Sequence, residues 1–175
     1  MEDTIHVEME LEQKMCNICK KTDSDYYELK LQIRFLYFLE SEIEIIQEDI
    51  LEILSKNLDN INKIEYVNTG IDLFLNSIGD RNKVSSLLRK KYFFESKISK
   101  KIVGKDFLRS CDIWRYTQLV KIINLKIGDV VELKGEQYTI KGFNNSDIIL
   151  VSMKNKSKKI FSYQIIKDYL HKNFN

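Results

Sequence analysis

The sequence predicts an α+β protein built as two units, one mixed and one all-β. Three observations carry that reading. Apolar residues alternate over several short runs, a longer run in the first half repeats them at helical spacing, and closely spaced short strands punctuated by Gly and Asn fill the last third. The chain has 175 residues, 43% of them hydrophobic and 31% charged, enough for one medium domain or two small ones.

In chain order, residues 5–11 (IHVEMEL) alternate and predict a strand. Cys16-Asn17-Ile18-Cys19 then forms a tight turn, and Asp23–Asp25 is a polar break. The first half of Tyr26–Phe38 predicts a strand. Ile43, Ile46, Ile50, Leu51, Ile53, Leu54 and Leu58 recur at helical spacing, with Glu42 to Asp49 as an acidic outer face, giving a helix of about four turns. Lys63–Asn68 and Ile71–Leu75 are strands broken at Gly70. Gly79-Asp80 opens a second helix with Val84, Leu87 and Leu88 inward and Arg81, Lys83, Arg89 and Lys90 outward, and Tyr92–Ile98 is a further strand. That order, β-α-β-β-α-β, is the split-βαβ order of ferredoxin-like domains, with both helices on one face of an antiparallel sheet. Strands at Ile113–Ile123, Tyr138–Phe143, Ile148–Ser152 and Lys159–Tyr163, with Ile127–Leu133 as a turn feeding a further strand, predict a small SH3/OB-like β-barrel, and Ile165–Leu170 a closing helix. The expected division is 1–22, an N-terminal strand with a zinc-site remnant; 23–100, the α+β domain; 101–163, the barrel; and 164–175, the C-terminal helix.

Net charge is only +2, but it is polarised along the chain. Residues 1–13 carry five acids and no base, residues 36–66 eight acids against two bases, and residues 81–126 thirteen bases against three acids. The last segment is the electrostatic footprint of a phosphate-binding surface. Composition tempers this, because Lys, Ile and Asn are abundant throughout and proline is absent. The candidate RNA-binding residues are Arg89, Lys90, Lys91, Lys97, Lys100, Lys101, Lys105, Arg109, Arg115 and Lys121. Within this segment Trp114 and Tyr116 share one face of an alternating strand and Arg115 and Thr117 the other. The aromatics either stack on unpaired bases or fill the barrel core, and for Trp114 the core is the expectation.

Other functions find little support. No run of about 18 apolar residues exists to cross a membrane, and the acidic start MEDTIHVEMELEQ lacks the apolar stretch of a signal peptide. Three cysteines do not suggest a disulfide scaffold, so a cytoplasmic protein is expected. Cys16 and Cys19 make half a zinc site; with only His6 and His171 besides, no cofactor is expected, zinc at Cys16 and Cys19 being the open alternative. No phosphate-binding, dinucleotide, metalloprotease or nucleophile-elbow motif is present, so neither an enzyme nor a small-molecule substrate is expected.

The motifs resemble, in order and spacing over about residues 5 to 152, those of the nonsense-mediated decay protein three family, the large-subunit export adaptor of eukaryotes and its archaeal counterparts. The matching segments are Cys16-x-x-Cys19 with Tyr26-Tyr27-Glu28 and Gln32-Ile33-Arg34; Gly70-Ile71-Asp72-Leu73-Phe74-Leu75; Ser99-Lys100-Lys101-Ile102-Val103-Gly104-Lys105-Asp106; Arg115-Tyr116-Thr117; and Ile127-Gly128-Asp129-Val130-Val131. The resemblance implies binding to the large ribosomal subunit, to its rRNA and ribosomal proteins, across the intersubunit face towards the tRNA exit site. The family's several Cys-x-x-Cys pairs are reduced here to one and no long tail with leucine-rich export signals follows, so subunit binding is expected without nuclear export. The expected protein is thus a non-catalytic assembly or quality-control factor, monomeric when free. Two alternatives stand beside it: a protein–protein adaptor working through the acidic N-terminal half, with Glu44, Glu48 and Glu52 on its helix, and a ribosome dormancy or anti-association factor.

Overall fold

The computed structural model describes residues 26–144 and 147–174. The strand expected at residues 5–11 and the Cys16–Cys19 turn lie outside them. Strand β1, Leu29–Leu36, buries every second side chain, so Leu29, Leu31, Ile33 and Phe35 point into a core and Lys30, Gln32 and Arg34 point away. Helix α1, Glu40–Ser55, starts where the Glu42 carboxylate accepts the Leu39 backbone N–H at 3.0 Å, and Glu40 and Glu42 suit the positive end of its dipole. Ile50 and Leu54 of α1 are fully buried.

Strands β2, Ile61–Val67, and β3, Gly70–Leu75, form a hairpin, and helix α2, Asp80–Arg89, buries Val84 and Leu88. Gly70 is dictated by packing: a Cβ there would fall 1.9 Å from the Ile33 carbonyl oxygen. The Gln47 side-chain amide of α1 donates to the Gly70 carbonyl at 3.0 Å, fastening the helix over this crossing. Strands β4, Phe93–Asp106, and β5, Cys111–Ile123, make a second and much longer hairpin.

These strands form one sheet in the order β2-β3-β1-β5-β4, with α1 and α2 over one face. The expected β-α-β-β-α-β succession is present, but the sheet order is not that of a ferredoxin-like domain. The strand expected to open the barrel, β5, sits between β1 and β4, parallel to β1 and antiparallel to β4. The side chains explain the exchange. From Glu95 to Val103 β4 is exposed at every position and rich in lysine, which suits a sheet edge. In β5, Val120 and Ile122 are fully buried and fill the place beside β1 under the helices.

Strands β6, Val130–Leu133, β7, Glu136–Asn144, β8, Asp147–Ser152, and β9, Lys158–Ser162, form an antiparallel meander in that order. Lys134 and Gly135, both at positive φ (54° and 77°), make the two-residue turn between β6 and β7. No pairing joins β6 to β9 among the described residues, so the expected SH3/OB-like closed barrel is not found. Helix α3, Tyr163–Phe174, packs against both β6 and β9 and buries Tyr163, Ile166 and Leu170 with Tyr138, Ile140, Ile148 and Leu150. An amphipathic helix thus covers the core where strand pairing would have closed a barrel.

The two sheets meet at the base of the long hairpin. Phe93 and Ile123 belong to the second core, Phe93 stacking on Phe143 with ring centroids 4.9 Å apart and lying 5.3 Å from Tyr163. Leu36 packs there too. The second sheet therefore covers one end of the five-stranded sheet on the face away from α1 and α2.

Candidate nucleic-acid interface

Among the described residues no other element packs on the rest of that face, which is largely polar. Pairing registers place its residues in rows across the strands. One row runs Lys63, Phe74, Lys30, Thr117, Ser99; the next runs Glu65, Asp72, Gln32, Leu119, Lys97; a third runs Val67, Gly70, Arg34, Lys121, Glu95. At a strand spacing of about 4.8 Å each row is about 19 Å wide. Lys101 and Arg115 stand opposite one another just beyond the first row.

Some of these cations are already engaged. Asp72, 4% exposed, accepts from Arg34 Nη1 at 2.6 Å and pairs with Lys30 Nζ at 2.7 Å, while Gln32 donates at 3.3 Å. Burial pushes its pKa up, but the bonds from Arg34, Lys30 and Gln32 outweigh that and hold the carboxyl below its ordinary value. Lys30 also lies 4.9 Å from the Phe74 ring centroid and Arg115 4.4 Å from that of Tyr27, the two rings meeting edge to face. Other cations have no acidic partner. Among the described residues, Lys97, Lys101, Lys105, Arg115 and Lys121 make no ion pair within 4.0 Å. A Lys101–Arg115 pair side by side is unfavourable by itself and favours a bound anion.

The hairpin continues past the sheet. Strand β1 pairs with β5 from Tyr116 onward, so among the described residues Lys101–Asp106 and Cys111–Arg115 form a two-stranded ribbon with no third strand. Six residues make it about 20 Å long. Asp106 builds its tip by accepting the Leu108 and Arg109 backbone N–H groups at 3.0 and 3.2 Å, which leaves Phe107 87% and Leu108 98% exposed.

The ten predicted cations therefore divide. Lys97, Lys101, Arg115 and Lys121 share the uncovered face; Lys100 lies on the helix side of the ribbon, Lys105 is exposed opposite Asp112, and Arg109 is at the tip. Arg89, Lys90 and Lys91 sit at the far end of α2. Arg89 lies 4.7 Å from the Phe94 ring centroid, and Lys91 is hydrogen-bonded to Asp49 of α1, which also accepts from the Tyr92 hydroxyl. Burial raises the Asp49 pKa, but the bonds from Lys91 and Tyr92 bring it below its ordinary value. Sequence reasoning missed Tyr27, Lys30, Arg34, Lys63 and Phe74. The polar half of Lys30-Leu31-Gln32-Ile33-Arg34 was the available signal, but which face stays open depends on the strand order.

Trp114 was expected in a barrel core. It lies instead on the ribbon, partly exposed and outside both cores, with Lys100 Nζ 4.4 Å from its ring centroid. Cys16 and Cys19 lie outside the described residues, within which no group of three or more His, Cys, Asp or Glu is placed to hold a metal. No helix among them is long and apolar enough to cross a membrane.

Two helices over one side of the larger sheet, α1 acidic and α2 basic, and a polar face with a projecting ribbon on the other define a two-sheet α+β protein. The chain belongs to the NMD3 family: the family model for NMD3, second domain, matches residues 26–122. That match runs from just before β1 almost to the end of β5, grouping β5 with the first sheet as the strand pairing does. No curated protein matches the chain.

Proposed function

We propose that the protein is a non-catalytic factor that binds the large ribosomal subunit through rRNA, acting in subunit assembly or quality control. The observation that carries this is the sheet face on which, among the described residues, Lys97, Lys101, Arg115 and Lys121 make no ion pair. Cations not engaged in ion pairs on a flat face can follow a phosphate backbone, and of these four only Lys121 stands opposite an acid, Glu95. Family membership supplies the ribosome: relatives lie across the intersubunit face of the large subunit and reach the tRNA exit site. Four phosphate contacts give a salt slope of about −3.6 and a loss of about 150-fold in affinity between 50 and 200 mM salt. The test is sedimentation with purified large subunits at rising salt, comparing the native chain with Lys97→Glu, Lys101→Glu and Lys121→Glu combined. Co-sedimentation at low salt, lost in the triple variant, is expected; a protein that stays at the top of the gradient at low salt overturns the proposal.

A second reading rests on α1. Ile45, 69% exposed, stands beside exposed Glu44 and Glu48, a combination suited to a basic, partly apolar protein segment. Loss of subunit binding from Glu44→Lys, Glu48→Lys and Glu52→Lys, with none from the lysine variants, would favour a protein–protein adaptor. A dormancy or anti-association role would use the same basic face and would show as association with mature rather than immature subunits.

A further inference from the structure

We propose that the helix-side face of the ribbon is a stacking site for one unpaired RNA base, with Trp114 as its platform; this rests on the RNA-binding reading above and adds a ligand class to it. Along the helix side of β5 the residues are Tyr116, Gln118, Val120 and Ile122. Val120 and Ile122 lie fully buried in the first core. Gln118, 3% exposed, donates to Ser85 of α2 at 3.0 Å and to Ser96 of β4 at 3.1 Å, which ties α2 to the sheet at this level. Tyr116 is packed partly against the core. Trp114, the next residue on that side, has left it. An aromatic strip thus emerges from under the helices and ends on a large ring that neither core uses.

The surroundings of the ring suit a nucleotide. Across the hairpin, Ile102 pairs with Trp114, Lys100 with Tyr116 and Ile98 with Gln118, and Ile98 and Ile102 are 41% and 50% exposed. Ile102 gives Trp114 an apolar neighbour, and Ile98 continues the apolar line further along the strand. Lys100 holds its ammonium over the ring, and when a base takes that face the flexible side chain swings aside to become the phosphate contact of the same nucleotide. The irregularity between Ile102 and Gly104 marks the end of this strip. The opposite face carries Lys97, Lys101, Arg115 and Lys121. The ribbon therefore offers phosphate contacts on one side and a stacking surface on the other, which fits a duplex interrupted by a bulge or loop better than a continuous duplex, whose bases are hidden in the stack. The charge around the ring favours RNA over a basic peptide.

Trp114 is the only tryptophan, so intrinsic fluorescence reports on this site alone. The full chain is titrated with three RNAs: a blunt 12-base-pair duplex, the same duplex with a one-nucleotide bulge, and a single-stranded adenine hexamer. Binding is followed independently by anisotropy of an end label. Marked quenching by the bulged duplex and the hexamer, and little by the blunt duplex, is expected. Trp114→Ala is expected to lose about fivefold to a hundredfold in affinity for the bulged duplex with no change for the blunt one, and Trp114→Phe to lose less. Bulged RNA bound without quenching, or an unchanged bulged-to-blunt ratio in Trp114→Ala, overturns the inference and leaves the basic-face reading intact. Equal quenching by a glutamate decapeptide also overturns it. Failure of all three RNAs to bind at low salt overturns the RNA reading itself.

Discussion

Replacing Asp72 by Asn separates stability from binding, because the two respond with opposite signs. Asparagine keeps the size and can still accept a hydrogen bond from Arg34, but the charge that holds Lys30 and Arg34 is lost. Breaking a fully buried ion pair costs about 3–5 kcal/mol. Here the Lys30 and Arg34 side chains are 25% and 24% exposed, so water takes up part of the released charge, and the cost falls to about 2 kcal/mol. For a chain of this size that lowers Tm by about 4–8 °C. On the sheet face the same change removes one negative charge and frees two cations for a docked phosphate. With screening, that strengthens RNA binding about threefold to tenfold near 0.1 M salt. The salt slope steepens by about 0.9 for each newly engaged phosphate. Thermal melting and RNA titration over a salt series read both effects on one preparation. A variant that melts lower and binds RNA equally or more weakly at every salt concentration would refute the assignment of this face.

Two further outcomes follow from the packing and the titrating groups. Gly70→Ala drives a Cβ to within 1.9 Å of the Ile33 carbonyl oxygen, a backbone atom that cannot step aside without moving β1, so a loss of about 3 kcal/mol or more is expected in a urea unfolding curve. Asp72 and Asp49 both have folded pKa values below the ordinary 3.8, so their contribution is fully present above that value and is lost as pH falls through the folded values. The urea midpoint should therefore hold from pH 7 to about pH 5 and decline below pH 4, and the decline should be shallower in Asp72→Asn.

Much of the first unit was legible in the sequence because period and burial agree there. β1 alternates, α1 carries Ile43, Ile46, Ile50, Ile53 and Leu54 on one stripe, and Gly70 marks the break between β2 and β3. Strand order was not legible. Placing β5 inside and β4 at the edge depends on the contrast between Val120 and Ile122 and the exposed lysines of β4, which becomes decisive only once the two strands are known to pair. The open second sheet was hidden for a related reason: α3 was visible as a short amphipathic helix, but nothing local says that it stands where a barrel seam would be. The basic segment was legible as charge but not as surface. Period 2 splits it between two faces, and Lys91 is held by an acid of α1 that lies 42 residues away. Trp114 was assigned to a core because large aromatic rings usually lie in one; its place beyond the end of β1 is a property of pairing.

The lysines of β4 admit a plainer explanation. A 14-residue edge strand offers a long row of unpaired backbone groups, and lysine is a common guard against strand addition by another chain. Guarding and phosphate binding make different demands on direction. A guard works from either face of the strand, whereas a phosphate contact on the sheet needs the face shared with Arg115 and Lys121, where Lys97 and Lys101 stand and Lys100 does not. Serine at Lys97 and Lys101 together therefore separates the roles, with Lys91→Ala as the control. Phosphate binding predicts a weaker RNA complex and a salt slope shallower by about 1.8 for the double variant, with the chain still monomeric in light scattering, while Lys91→Ala leaves the slope unchanged because that ammonium already serves Asp49. Guarding predicts aggregation in proportion to the lysines removed, whichever face they leave, at an unchanged slope. That second pattern would reduce the basic segment to a solubility device and would leave the proposed RNA contact without its structural support.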